Sequence, residues 1–190
     1  MTASGFCLFE TPVGTCGIAW GGAGIAGVQL PEGGEEKARA RLARRFPSAV
    51  EGQAPSPVRA AIEAVLRLLS GKPEDLSFVI LDMGGIADFE RRVYGAARQV
   101  PAGETVTYGE LAGRIGEPRA AQAVGKALGR NPFPIIVPCH RVLGASGKTG
   151  GFSARGGIDT KLRILSIEKA RTSSLPSLFD DLPLVARSRD

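Results

Sequence analysis

The chain has 190 residues, 43% hydrophobic and 23% charged, with a formal net charge of +5. That balance supports a buried core, which excludes a disordered polyelectrolyte, and the basic excess favours a polyanionic partner. Three cysteines at 7, 16 and 139 form no disulfide framework, no apolar run reaches bilayer-spanning length and residues 1–10 lack a signal-peptide pattern, so the expectation is a protein of the reducing cytoplasm with no membrane partner.

Residues 6–9, 16–20 and 25–30 are β-prone runs separated by Pro12-Val13-Gly14 and Gly21-Gly22-Ala23-Gly24, which predicts an antiparallel meander. Cys7 and Cys16 can approach each other there. A zinc site would need two more ligands and only Cys139 and His140 remain, so no metal and no other cofactor is expected. Residues 35–46 place Ala38, Leu42 and Phe46 on one side of a helix whose arginines read as a solvated face. Ser56-Pro57 opens a second helix with Val58, Ala61, Ile62, Val65, Leu66 and Leu69 inward, ended by Gly71 and Pro73. Leu76 to Leu81 returns to strand character. Residues 1–82 are therefore predicted to be a small α+β domain, with Met83-Gly84-Gly85 as the linker.

From Asp88, placed to cap a helix, the inward positions are Phe89, Val93, Ala96, Ala97 and Val100. Thr107-Tyr108-Gly109-Glu110 has the form of a capping box and starts a short helix through Leu111, Ala112 and Ile115. After Gly116-Glu117, Pro118 opens another helix to about residue 129 with Ala121, Val124 and Leu128 inward. Such a pair is a helix-turn-helix or an ordinary helical hairpin. The outward face of the second helix carries the small residues Ala120, Ala123, Gly125 and Ala127, with Arg119, Gln122, Lys126 and Arg130 among them. A face so small suits close approach to a minor groove better than base reading in a major groove.

Pro134-Ile135-Ile136-Val137-Pro138 is a short apolar run bracketed by prolines, and it delivers Cys139, His140 and Arg141. A thiol attacks as thiolate, and imidazole can take its proton; His140 is the only histidine of the chain. Adjacent side chains on an extended backbone point opposite ways, so a bridging water or a turn must connect the two. The alternative is an inert cysteine buried in an apolar segment. Beyond it, residues 150–157 are a glycine-bearing loop without phosphate-loop spacing. Asp159 caps a last helix with Ile158, Leu162, Leu165 and Ile167 apolar and Glu168 projecting near its end. Residues 171–190 read as a flexible tail.

The string Pro138-Cys139-His140-Arg141-Val142, preceded by Gly129-Arg130-Asn131-Pro132, resembles the active-site signature of the O6-alkylguanine-DNA alkyltransferases. Residues 89–100, 105–112, 131–142, Gly156-Gly157, Thr160-Lys161 and Glu168 follow that family's order. The resemblance implies an N-terminal ribonuclease-H-like α+β domain, then a mainly helical domain over 86–170 with a winged helix-turn-helix. It also implies repair of alkylated guanine in double-stranded DNA by a monomer that binds the minor groove, flips the base and moves its alkyl group irreversibly to cysteine. O4-alkylthymine is an open second substrate.

Carried over, Cys139 is the acceptor, His140 its base through a water, and Glu168 the carboxylate orienting that histidine. Asn131 links the helix pair to the cysteine turn, and Tyr108 donates to the departing guanine. Pro134, Val142, Phe152 and Ser153 are the implied base pocket, with Lys161 in support. The implied DNA-binding set is Tyr108, Arg119, Ala120, Ala121, Gln122, Gly125, Lys126 and Arg130. Gln122 stands where the family usually has arginine, which motivates a second reading as a lesion-binding protein without transfer. Residues Ala154 and Arg155 lengthen the loop after Ser153. A cysteine hydrolase is a third reading. Leu175 to Phe179 resembles the short apolar-aromatic peptides that dock on sliding clamps, without their leading glutamine.

Overall fold

The computed structural model describes residues 2–145 and 157–170. It is a mixed α+β structure. Strands β1 (Gly5–Phe9), β2 (Cys16–Gly21) and β3 (Gly24–Gln29) form the antiparallel meander expected, paired Cys7 to Ile18 and Ile18 to Val28. A fourth strand, β4 (Val50–Glu51), joins β1 in parallel and makes the order β3-β2-β1-β4. Two exposed residues carry no periodicity, so this strand had no signal in the sequence.

Helix α1 (Glu35–Arg45) covers one face of the sheet, where Ala38, Leu42 and Phe46 join Phe6, Ala19 and Ala26 in a small core. Helix α2 (Ser56–Leu69) buries Val58, Ala61, Ala64, Val65, Leu68 and Leu69. The inward stripe thus takes Ala64 and Leu68 in place of the half-buried Ile62 and Leu66. The segment 76–81 is not a strand. Leu76, Val79 and Leu81 are buried while Phe78 and Ile80 face out, and only Leu81 bridges, to Ile25.

Helix α3 (Asp88–Arg98) buries Val93, Tyr94 and Ala97. Its cap position is Ala87 and no side chain caps it, so Asp88 lies in the first turn, where its charge complements the helix dipole. After β5 (Val106–Thr107), helix α4 (Tyr108–Arg114) begins with the expected capping box, Thr107 accepting from the Glu110 amide and Glu110 accepting from the Thr107 amide. Helix α5 (Ala121–Gly129) buries Val124, Ala127 and Leu128. Ala127 therefore faces inward, not toward a groove, and its carbonyl accepts the Tyr94 hydroxyl at 3.0 Å. Ala121 is half-buried.

The apolar run before the cysteine is a tight turn rather than an extended segment. Pro134 bridges Val137, Val137 N–H donates to the Phe133 carbonyl, and Ile135 sits at φ 74°. A β-branched residue there stores about 1–3 kcal/mol of strain four positions before the cysteine. Cys139–Arg141 is one 3-10 turn, followed by β6 (Val142–Leu143) in parallel with β5. Helix α6 (Gly157–Ile167) buries Ile164 and Leu165 but exposes Leu162, contrary to the apolar reading, and buries Lys161 instead. The main buried cluster runs from the meander through α2 and α3 to Cys139 and α6 without a break. Among the described residues no helix is long and apolar enough to cross a membrane, and no group of His, Cys, Asp and Glu is gathered that could hold a metal.

Candidate active site

The strained turn and the 3-10 turn place Cys139 against a cavity of about 230 Å³ lined also by Tyr108, Gly125, Leu128, Gly129, Asn131, Pro134 and Lys161. One wall is the pair α4 and α5. The other is β3 and α1, through Val28, Gln29, Leu30, Arg41 and Arg45. The walls are joined where the Val28 amide donates to the Pro132 carbonyl at 2.9 Å.

Asn131 staples the floor. Its Nδ2 donates to the Val137 carbonyl and its Oδ1 accepts from the Phe133 amide, both at 2.9 Å, and the same side chain hydrogen-bonds the Cys139 sulfur. Burial pushes the Cys139 thiol above its ordinary value. The Asn131 hydrogen bond, the Lys161 charge and the backbone amides of Cys139 and His140 pull the other way. The resting thiol therefore keeps its proton, and a base is needed to remove it.

A candidate for it stands at the next position. The structure adopts a 3-10 turn over Cys139–Arg141, not an extended backbone, and within it His140 is buried to 1% exposure. Its Nε2 lies 3.0 Å from Glu168 Oε1. Burial alone would raise the Glu168 carboxyl, but hydrogen bonds from His140 and Arg141 outweigh it and hold the group at about 2. Glu168 is thus an acceptor only, so Nε2 carries the imidazole proton and Nδ1 is left with a lone pair. Burial keeps the imidazole neutral by lowering its affinity for a proton, against the pull of Glu168.

Lys161 donates to the Val142 carbonyl at 2.8 Å. Val142 is fully buried, and one lone pair of its carbonyl is already used. Tyr108 is held by the capping box at the start of α4, and burial, with the nearby Cys139, raises its hydroxyl and keeps it a donor. Gly125 lies under its ring: a Cβ there would sit 3.8 Å from Tyr108 Cε1. Arg119, Gln122, Lys126 and Arg130 are exposed around α5, and Ala120 is half-buried. Arg130 is 4.0 Å from Glu90. Phe152, Ser153, Ala154, Arg155 and the stretch 175–179 lie outside the described residues.

Three contributors escaped the sequence reading. Arg141 forks onto Glu168 from the same turn as His140. A charged side chain between His140 and the apolar Val142-Leu143 required a buried acid, which was the available signal. Arg41 and Arg45 lie on the face of α1 read as solvated, yet line the cavity. Arg41 pairs with Glu32, while the Arg45 guanidinium lies 4.9 Å from the centre of the Phe46 ring and rests on Gly27, where a Cβ would come within 2.9 Å of it. Their i, i+4 spacing beside Leu42 and Phe46 was legible, but nothing in it said what they would face.

A thiol facing a cavity, with an imidazole at the next position held by a carboxylate, is the grouping that cysteine-nucleophile proteins use. Residues 88–170 match the family described as 6-O-methylguanine DNA methyltransferase, DNA binding domain. The chain is 39% identical over 171 residues to the methylated-DNA–protein-cysteine methyltransferase of Mycobacterium tuberculosis, covering 90% of this chain and 96% of that one. It is 33% identical over 158 residues to the protein of that name from Methanothermobacter thermautotrophicus, covering 83% and 81%. The crystal structure of the M. tuberculosis O6-methylguanine methyltransferase superposes with a TM-score of 0.69 at 37% identity, covering 93% of this chain and 99% of that one. The M. tuberculosis protein in complex with DNA gives 0.68 at 35%, covering 86% and 92%. The chain belongs to the methylated-DNA–protein-cysteine methyltransferase family.

Proposed function

We propose that this protein repairs double-stranded DNA by transferring the alkyl group of O6-alkylguanine, methyl above all, to Cys139, once per molecule. The observation that carries the reading is Cys139 facing a cavity while its neighbour His140 is held by Glu168 with Nδ1 free. His140 takes the thiol proton through a bridging water. The thiolate attacks the alkyl carbon, the S–C bond forms and the C–O bond breaks. The departing guanine takes a proton near its ring nitrogen from Tyr108, and the imidazolium's proton, passed through solvent, restores the phenol. Water cannot reverse the thioether, so the protein is consumed.

To reach the thiol the base must leave the duplex, at a cost of a few kcal/mol that is smaller for a poorly paired lesion. The exposed, small-sided α5 suits minor-groove docking, with Gln122 in the place of the usual arginine. The α4–α5 pair is read as the helix-turn-helix of a winged domain spanning 86–170. The sheet order β3-β2-β1-β4 supports a ribonuclease-H-like domain over 1–82. Residues 171–190 lie outside the described residues, and the protein acts as a cytoplasmic monomer. O4-alkylthymine would enter the same cavity, and docking of 175–179 on a sliding clamp is a separate proposal.

Incubation with an oligonucleotide containing O6-methylguanine should add one methyl to the peptide spanning residues 131–141. Binding with an unmodified thiol would instead favour a lesion-recognising protein without transfer.

A further inference from the structure

Arg141 and His140 leave the same 3-10 turn and converge on one carboxylate beyond the end of α6. Arg141 Nε donates to Glu168 Oε2 at 3.0 Å and Nη2 to Oε1 at 2.7 Å, so Oε1 is shared with His140. The third guanidinium nitrogen, Nη1, donates to the Val100 carbonyl just past α3 at 2.7 Å. All three side chains are buried, at 7% exposure for Arg141 and 1% each for His140 and Glu168. The mechanism above uses the histidine and the glutamate and leaves the arginine without a task.

We infer that Arg141 is a positioning residue of the transfer reaction: anchored on Val100 and forked onto Glu168, it keeps the histidine–glutamate pair one proton short, so that His140 Nδ1 can receive the proton of Cys139. The inference rests on the transfer reading and deepens it.

The charge count gives the reason. With Arg141 present, the cluster holds one cation, one anion and a neutral imidazole, and is balanced. Without it a lone carboxylate would be buried beside an imidazole, and a buried uncompensated charge binds a proton. The pair titrates as a unit. If the proton goes to the imidazole, Nδ1 is occupied. If it goes to the carboxyl, that group donates to Nε2 and the imidazole proton moves to Nδ1. Either way the acceptor for the thiol proton is gone.

The other charged groups do not replace the arginine. Lys161 on α6 also disfavours the imidazolium, but it reaches the Val142 carbonyl. Tyr94 on α3 and Tyr108 on α4 couple to Cys139. Burial and the Arg141 charge work in the same direction on His140, while Glu168 opposes them.

Because His140 is the only histidine, the full-length protein gives one imidazole signal pair in nitrogen-15 NMR. In the unmodified protein Nε2 should be protonated and Nδ1 bare at neutral pH. In Arg141→Met, Nδ1 should take up a proton at neutral pH, and transfer to Cys139 at pH 7 should fall about tenfold or more and recover as pH rises. Arg141→Lys restores the charge without the fork and should restore the bare Nδ1. The inference is overturned if the unmodified protein carries its proton on Nδ1, if Arg141→Met leaves the imidazole unchanged, or if the Met and Lys variants lose rate equally at every pH. Should Arg141→Met not fold, the unmodified protein and Arg141→Lys decide: a protonated Nδ1 in either sinks the inference. Failure of the transfer reading shows separately, as an unmethylated Cys139 with the imidazole signals as expected.

Discussion

Cys16 and Cys139 are both buried thiols, at 0% and 6% exposure, and burial raises both. Around Cys16, in the sheet, little opposes that push. Thr11 Oγ1 at 3.8 Å lowers it, Glu10 adds to it, and the thiol is held at about 12. Around Cys139 the same burial is met by an amide, an ammonium, two backbone N–H groups and a neighbouring imidazole with a carboxylate behind it. Desolvation by itself makes a cysteine inert. It permits reactivity only where fixed dipoles and a base are built in beside the sulfur and a cavity lets a substrate reach it.

The contrast can be broken most severely at the sulfur. Cys139→Ala should abolish alkyl transfer while DNA binding survives, and Cys16→Ala should leave the transfer rate within about twofold; a labelled-oligonucleotide assay reads both. If Cys16→Ala removed transfer, the distinction between the two sites would collapse.

Glu168→Gln comes next. It leaves the Arg141 charge buried without its anion, which costs about 3–5 kcal/mol of stability. Gln also frees His140 to take the other tautomer, and transfer should slow by about tenfold or more. Denaturant unfolding and single-turnover kinetics measure the two effects.

The two sites also differ in pH dependence: burial raises both thiols and gives each an alkaline limb, and only the Cys139 site adds an acid one. The folded chain keeps His140 neutral, below its ordinary 6.5, so the unfolded state binds more protons and stability should decline as pH falls below 6.5. Glu168, held at about 2 against an ordinary 4.5, adds a loss between those values. Cys16, raised from 9.0 to about 12, keeps its proton when folded, and stability should decline as pH rises through that window. Melting temperatures across pH should show both limbs. His140→Gln should flatten the limb between 6.5 and 4.5, and Cys16→Ala should reduce the alkaline one.

The smallest effect sharpens the comparison at a distance from sulfur. Thr107→Ala removes the cap that starts α4 and should cost about 1 kcal/mol. Because Tyr108 follows directly, the transfer rate should fall modestly as well, whereas a stability loss of the same size in the sheet should leave it untouched.

Local chemistry was legible in the chain itself. Strands alternating with glycine turns specified the meander, Thr107 with Glu110 specified a helix start, and Cys139 with His140 in one short string specified where to look for a nucleophile. Errors came where pattern and environment part. Leu76 to Leu81 is apolar enough for a strand, yet Phe78 and Ile80 face outward. Along α6 a leucine is exposed and a lysine buried, because the lysine has the Val142 carbonyl to reach.

Periodicity says which side of an element is covered, not what covers it. The pairing of Glu168 with His140 across 28 residues was implied by resemblance and not by periodicity, while tertiary structure alone brought Arg141 across 41 residues to the Val100 carbonyl and the wall of β3 and α1 against the cysteine turn. The residue types needed for the chemistry were written in the string. Their protonation states were decided by burial and by partners from distant segments, since a proton's free energy depends on the charges around it and not on its neighbours in sequence.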